Sequence, residues 1–134
     1  MAKIENVEVV GGFGEIPNLQ FSGDAPAGLE VHVLEEGTGT EVKVGDTIEV
    51  NYHGVVWGGD IFDSSFQRGS SVEFPIGVGM LIKAWDQGII GHKVGSRLVI
   101  SAEPDFAYGE RGVPGSPIGP NSVLTFVVDI VSIK

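Results

Sequence analysis

The chain has 134 residues, 42% of them hydrophobic, enough for one sizeable core and too few for two comfortable domains. A formal net charge of −10 argues against nucleic-acid and anionic-membrane surfaces, which attract clustered Lys and Arg. With no cysteine, disulfide scaffolding, thiolate catalysis and Cys-ligated zinc are excluded. No run of about 18 apolar residues is present to span a bilayer, and the opening MAKIENVEVV lacks the uninterrupted apolar core of a secretory signal. The expectation is a soluble cytoplasmic protein with no nucleic-acid or membrane partner.

Taken in order, residues 1–28 form an extension broken up by Gly11, Gly12, Gly14, Pro17, Gly23 and Pro26, with a candidate added edge strand at Val7–Val10. From Leu29 the texture changes: Leu29, Val31 and Val33 alternate with Glu30 and His32, the period of a half-buried strand. After a turn at Gly45-Asp46, Ile48, Val50 and Tyr52 point to one side and Thr47, Glu49 and Asn51 to the other. Val55–Trp57 and Ile61–Asp63 continue as strands about the turn Gly58-Gly59-Asp60, and Ser64–Ser71 reads as a polar loop. Val72, Phe74 and Ile76 alternate again, and Pro75 in that run predicts an edge strand or a bulge.

The one helix expected follows, with Ile82, Trp85 and Ile89 on a single stripe and Gly88 and Gly91 as stops. Arg97–Ser101 is a short apolar strand, and Ala102–Ser122 a long loop holding four of the seven prolines, of a length that in a compact domain is usually functional or disordered. Val123–Ile133, β-branched and alternating, reads as a central strand with Leu124, Phe126, Val128 and Ile130 on one face. The pattern is α+β: a curved antiparallel sheet of about five to six strands wrapped around one short helix.

Few constellations carry chemistry. His32, His53 and His92 lack the close spacing that puts two imidazoles on one metal, so neither metal nor cofactor is expected. Gly77-x-Gly79 lacks the rest of a phosphate-binding fingerprint, and no G-x-S-x-G elbow occurs. Asp63, where a strand gives way to a loop, reads equally as an Asx turn or as a carboxylate at a pocket rim. Tyr52, Phe62, Phe74, Trp85, Phe106, Tyr108 and Phe126 make either a core or an apolar pocket. Phe74 reads as core, whereas a phenol at Tyr52 or Tyr108 needs a partner when buried.

The stretches VKVGDTIEVNYHG, IFDSS, LIKAWDQGIIGHKVGSR and PDFAYGERGVP, followed by NSVLTFVVDIVSI, closely resemble the FK506-binding-protein (FKBP) family of peptidyl-prolyl cis–trans isomerases over residues 29–134. The resemblance implies an isomerase domain over those residues, with an apolar pocket between sheet and helix that binds proline and, in many members, macrolides of the tacrolimus and rapamycin type. Carried over by position, it implies catalytic roles for Tyr52, Phe62, Asp63, Trp85, Tyr108 and Phe126, and substrate contacts at Val72, Leu81 and Ile82. The chain departs from the family at Val72, where an aromatic is frequent, at Ala84, where glycine is common, and at Phe106, where tyrosine is usual. The loop Gly115–Pro120 is one residue longer than in compact members.

The implied partners are proline-containing peptides and unfolded or folding proteins, met by a monomer. The implied activity is X–Pro bond rotation without a covalent intermediate; the alternative is a chaperone-like module that binds proline peptides or macrolides with little turnover. Every motif of the resemblance lies after Leu29, so residues 1–28 are not expected to take part in catalysis.

Overall fold

A computed structural model describes Ile4 and residues 6–134. In chain order the strands are β1 (Val7–Val10), β2 (Asn18–Phe21), β3 (Leu29–Glu35), β4 (Thr47–Val56), β5 (Ile61–Ser64), β6 (Val72–Pro75), β7 (Arg97–Ala102) and β8 (Leu124–Ile133); α1 (Ser65–Arg68) precedes β6 and α2 (Lys83–Gly88) precedes β7. An antiparallel sheet runs β3-β7-β8-β4-β5, with β6 also on β4. The long β4 pairs with β8 along one edge and divides the other, Thr47–Val50 taking β6 and His53–Val55 taking β5. As the alternation requires, β8 is central. Pro75 lies on β6, whose strand partner is β4, where a missing N–H breaks no second ladder.

The inner face carries the main core. Ile48, Val50, Leu98, Ile100, Leu124, Phe126, Val128 and Ile130 pack there against Ala84, Trp85 and Ile89. The stripe centred on Trp85 is therefore the buried one, with Ile82 and Ile89 at the caps of α2. Gly88 is the last residue of α2, a stop as its place in the sequence suggested. It also has a packing role: a Cβ there would come 3.1 Å from Val31 Cγ2 and 3.4 Å from Ile100 Cδ1, so its bareness lets the helix approach the sheet.

The two stretches read as loops both carry local order, and the first needs correction. Ser64–Ser71 is not all loop: Ser64 Oγ accepts from the Gln67 N–H at 3.3 Å and Gly69 closes the turn at φ +71, which makes Ser65–Arg68 a single helical turn. At four residues it is too short for any apolar period. Ala102–Ser122 is tied down rather than loose, with a 3₁₀ turn at Pro104–Phe106, bonds from Val113 N–H to Ile118 O and from Asn121 N–H to Gly109 O, and Ile118 buried in the core.

Val7–Val10 is a strand, but it does not extend the edge of the large sheet. It pairs with β2 in a separate hairpin. The reason is apolar: Ile4 and Val7, with Val9, Leu19 and Phe21 beside them, pack on Val99, Val127, Leu34 and Trp57 and so cover the outer face of the sheet. The same face holds a fully buried ion pair, Arg97 Nε to Asp129 Oδ1 at 2.7 Å and Nη2 to Oδ2 at 3.0 Å. Residues 11–15 complete it. Arg97 donates to Gly11 O at 2.9 Å and Glu15 O at 2.5 Å, and the Gly14 N–H donates to Asp129 Oδ2 at 2.7 Å.

A charge buried with four of its five N–H donors matched is costly to orphan. Asp129→Ala is expected to lower the free energy of unfolding by about 3–5 kcal/mol in urea denaturation, because Arg97 stays buried without its anion. A loss below about 1 kcal/mol, the worth of a solvent-exposed pair, would contradict the burial described.

Candidate active site

The indole of Trp85 is 5% exposed and forms the hub of an aromatic cluster. Tyr52 from β4 meets it edge-on with ring centroids 5.0 Å apart, Phe74 from β6 at 5.1 Å and Phe126 from β8 at 5.5 Å, and Phe62 from β5 stands edge-on to Phe126 at 5.6 Å. Offset and edge contacts of this kind satisfy the ring quadrupoles and hold each ring at a defined angle. Gly54 on β4 makes room for Phe62, since a Cβ there would lie 2.6 Å from Phe62 Cζ. The Trp85 Nε1–H is buried and has no acceptor among the described residues.

On one side the cluster opens onto charge. The Tyr52 hydroxyl donates to Asp63 Oδ2, Arg68 Nη1 pairs with Asp63 Oδ1, and Arg68 Nη2 donates to the Tyr52 oxygen at 3.2 Å with the guanidinium over the ring. Asp63 thus binds Tyr52 and Arg68 at the edge of the aromatic cluster, while Ser64, its neighbour, does the capping. The turn α1 is fastened here by Ser65, whose Oγ accepts the Tyr52 N–H at 2.8 Å and donates to Asn51 Oδ1 at 3.0 Å. Burial pushes the Tyr52 phenol pKa above its ordinary value and the Asp63 carboxylate adds to the rise, while Arg68 opposes it. Burial also raises Tyr108, and the charge of Asp63 contributes, which places the second phenol within electrostatic reach of the same carboxylate.

Of the residues singled out in the sequence, Tyr52, Phe62, Trp85 and Phe126 join in one run of edge-on rings, and Asp63 attaches through the Tyr52 hydroxyl. Val72, Leu81 and Ile82 are partly buried against the same core. Ile82 precedes the first turn of α2 with extended backbone, and its N–H has no partner among the described residues. Tyr108 is 41% exposed, in a turn held by the Gly109 N–H to Pro104 O bond. Phe74 is core and site wall together. His53 stands apart: buried, with Nδ1 2.8 Å from Ser64 Oγ, its pKa is lowered by burial and by the charge of Arg97.

A family model described as FKBP-type peptidyl-prolyl cis-trans isomerase matches residues 38–131. The chain belongs to this family. The FK506-binding protein of Streptomyces anulatus is 40% identical over 121 residues, which cover 89% of this chain and 98% of that protein. The peptidyl-prolyl cis-trans isomerase of Schizosaccharomyces pombe is 42% identical over 108 residues, covering 80% and 96%. The crystal structure of AtFKBP13 superposes with a TM-score of 0.74 at 35% identity, over 81% of this chain and 95% of that one. An FKBP-type fold and isomerase activity follow for this chain.

Sequence reasoning missed Arg68. It lay in a segment read as loop, and the usable signal was local: serine, then four residues, then glycine, with a basic side chain in the last turn. Removing it in Arg68→Leu should move the Tyr52 titration upward, because the group that opposes Asp63 and burial is gone. Ultraviolet titration in a Tyr108→Phe background reads Tyr52 alone, as the chain has two tyrosines. A downward shift would contradict the arrangement.

Proposed function

We propose that this isomerase turns X–Pro bonds by seating the proline ring on Trp85 between Tyr52, Phe62 and Phe126, with Val72, Leu81 and Ile82 lining the approach. The observation that carries the reading is Trp85 itself, an indole buried on a short helix and walled edge-on by aromatic side chains from three strands. Planar X–Pro amides resist rotation by a barrier of about 18–20 kcal/mol and isomerise unaided in roughly tens to hundreds of seconds. Twisting the bond breaks conjugation between carbonyl and nitrogen, so charge separation falls and the amide depends less on water. An apolar, desolvated site therefore prefers the twisted form to the planar one. Relief of about 5 kcal/mol corresponds to nearly four powers of ten in rate.

Within this reading the polar groups orient rather than react. The Ile82 N–H and the Tyr108 hydroxyl, which has no hydrogen-bond partner among the described residues, hold substrate carbonyls. Asp63, balanced by Arg68, fixes the Tyr52 ring and faces the polar edge of the turning amide. No covalent bond forms. The substrates are proline-containing peptides and folding chains, met by a cytoplasmic monomer whose isomerase domain spans residues 29–134. Relatives that carry the name FK506-binding protein support macrolides as ligands of the same pocket.

The test is kcat/KM for Asp63→Leu, Tyr108→Phe and Phe126→Ala on one series of proline tetrapeptides with varied preceding residues. Asp63→Leu and Tyr108→Phe are each expected to lose about 1–3 kcal/mol of transition-state stabilisation, the cost of a hydrogen bond left unmade, without abolishing turnover. Folded Phe126→Ala should lose more than either. Complete inactivity of well-folded Asp63→Leu would mean that the carboxylate acts on the amide directly, and would overturn the desolvation mechanism.

A further inference from the structure

The loop Gly11–Glu15 is a closed unit. The Gly12 N–H donates to Glu15 Oε1 at 2.7 Å, the Glu15 N–H donates to Gly12 O at 2.9 Å, and the Phe13 N–H donates to Glu35 Oε2 at 2.6 Å, which ties the loop to the end of β3. Gly11 at φ +113 and Gly14 at φ +87 allow its shape. Beyond anchoring itself, it supplies two carbonyl acceptors to Arg97 and one N–H to Asp129. The Arg97 guanidinium, so held, lies over the ring of Phe66 at 5.6 Å. Phe66 belongs to α1, the same single turn that carries Arg68 to Asp63 and Tyr52.

That turn has open space at its flank. A cavity of about 270 Å³ opens beside it, lined by Gly14 on the loop side, Phe66 and Ser65 on the helical side, and Asn51 and Glu49 on β4. With space at its flank, α1 is located through two adjacent residues of its first half, Ser65 on Tyr52 and Asn51 and Phe66 on Arg97.

We propose that the Gly11–Glu15 loop is a positioning element for the isomerase site: by completing the partners of Arg97 it holds the guanidinium against Phe66, and α1, located at Phe66, brings Arg68 onto Tyr52 and Asp63. The inference rests on the placement of Tyr52, Asp63 and Arg68 in the proline site. It reverses the expectation from sequence that residues 1–28 stand outside catalysis. Among the described residues the loop makes no hydrogen bond to Tyr52, Asp63 or Arg68; its influence passes through one ion pair, one cation–π contact and one helical turn.

Two substitutions in the full chain test it. Gly14→Pro removes the N–H given to Asp129 and cannot adopt φ +87, so the loop detaches. Phe66→Leu keeps the loop and removes the ring. Each variant that retains native circular dichroism is expected to shift the Tyr52 titration upward in a Tyr108→Phe background, in the direction of Arg68→Leu, and to lower kcat/KM on proline tetrapeptides several-fold. If Gly14→Pro does not fold, Phe66→Leu carries the test alone. A folded variant with an unchanged Tyr52 titration overturns the proposal, because a loop that only stabilises the fold leaves that phenol where it was. The titration needs no turnover, so an unmodified chain that failed to accelerate isomerisation would count against the proline-site reading and not against the link from loop to Arg68.

Discussion

The packing of Trp85 onto the inner face of the sheet governs the rest of the structure. An indole on a helix of six residues cannot be buried by the helix alone, so three strands must bring rings to it. Close approach follows as a requirement, met by Gly88 where the helix nears Val31 and Ile100, and by Gly54 where Phe62 crosses β4. A buried indole N–H without an acceptor costs about 1–3 kcal/mol. The fold carries that cost at the place where the aromatic walls meet, in keeping with a surface shaped to receive something rather than a core closed on itself.

The opposite face of the sheet solves a different problem. A sheet with one face against a helix still exposes the other, and here β1 and β2 cover it with Ile4, Val7 and Phe21. Beside that apolar layer the paired charges of Arg97 and Asp129 are matched donor for acceptor by a glycine-rich loop. The two faces meet at α1, whose Phe66 touches the buried guanidinium and whose Arg68 reaches the aromatic site. One helical turn thus stands between the outer layer and the pocket rim.

Much of this was legible in the sequence, for identifiable reasons. Strands β3, β4 and β8 announce themselves because each buries one face against the helix, which imposes period two on Leu29–Val33, Ile48–Tyr52 and Leu124–Ile130. Pro75 marked an edge because proline cannot serve two ladders. Other features left no periodic trace. A four-residue helix shows itself only through its serine cap and terminal glycine, and Arg68 was lost with it. Nothing local in the sequence signals the burial of Arg97 and Asp129, since what buries them lies 82 and more positions earlier in the chain. The hairpin escaped because its partner surface is the outer side of Val99 and Val127, whose strands already had an inner core to explain them.

A pocket that lowers a rotational barrier by desolvation moves no proton. The rate of cis–trans exchange in an X–Pro tetrapeptide, followed by nuclear magnetic resonance with catalytic amounts of the protein in light and in heavy water, tests that claim most directly. The account predicts strong acceleration with nearly equal kcat/KM in the two solvents. A large solvent isotope effect on folded protein would mean that proton transfer accompanies the rotation, and would contradict a mechanism that rests on the aromatic walls around Trp85.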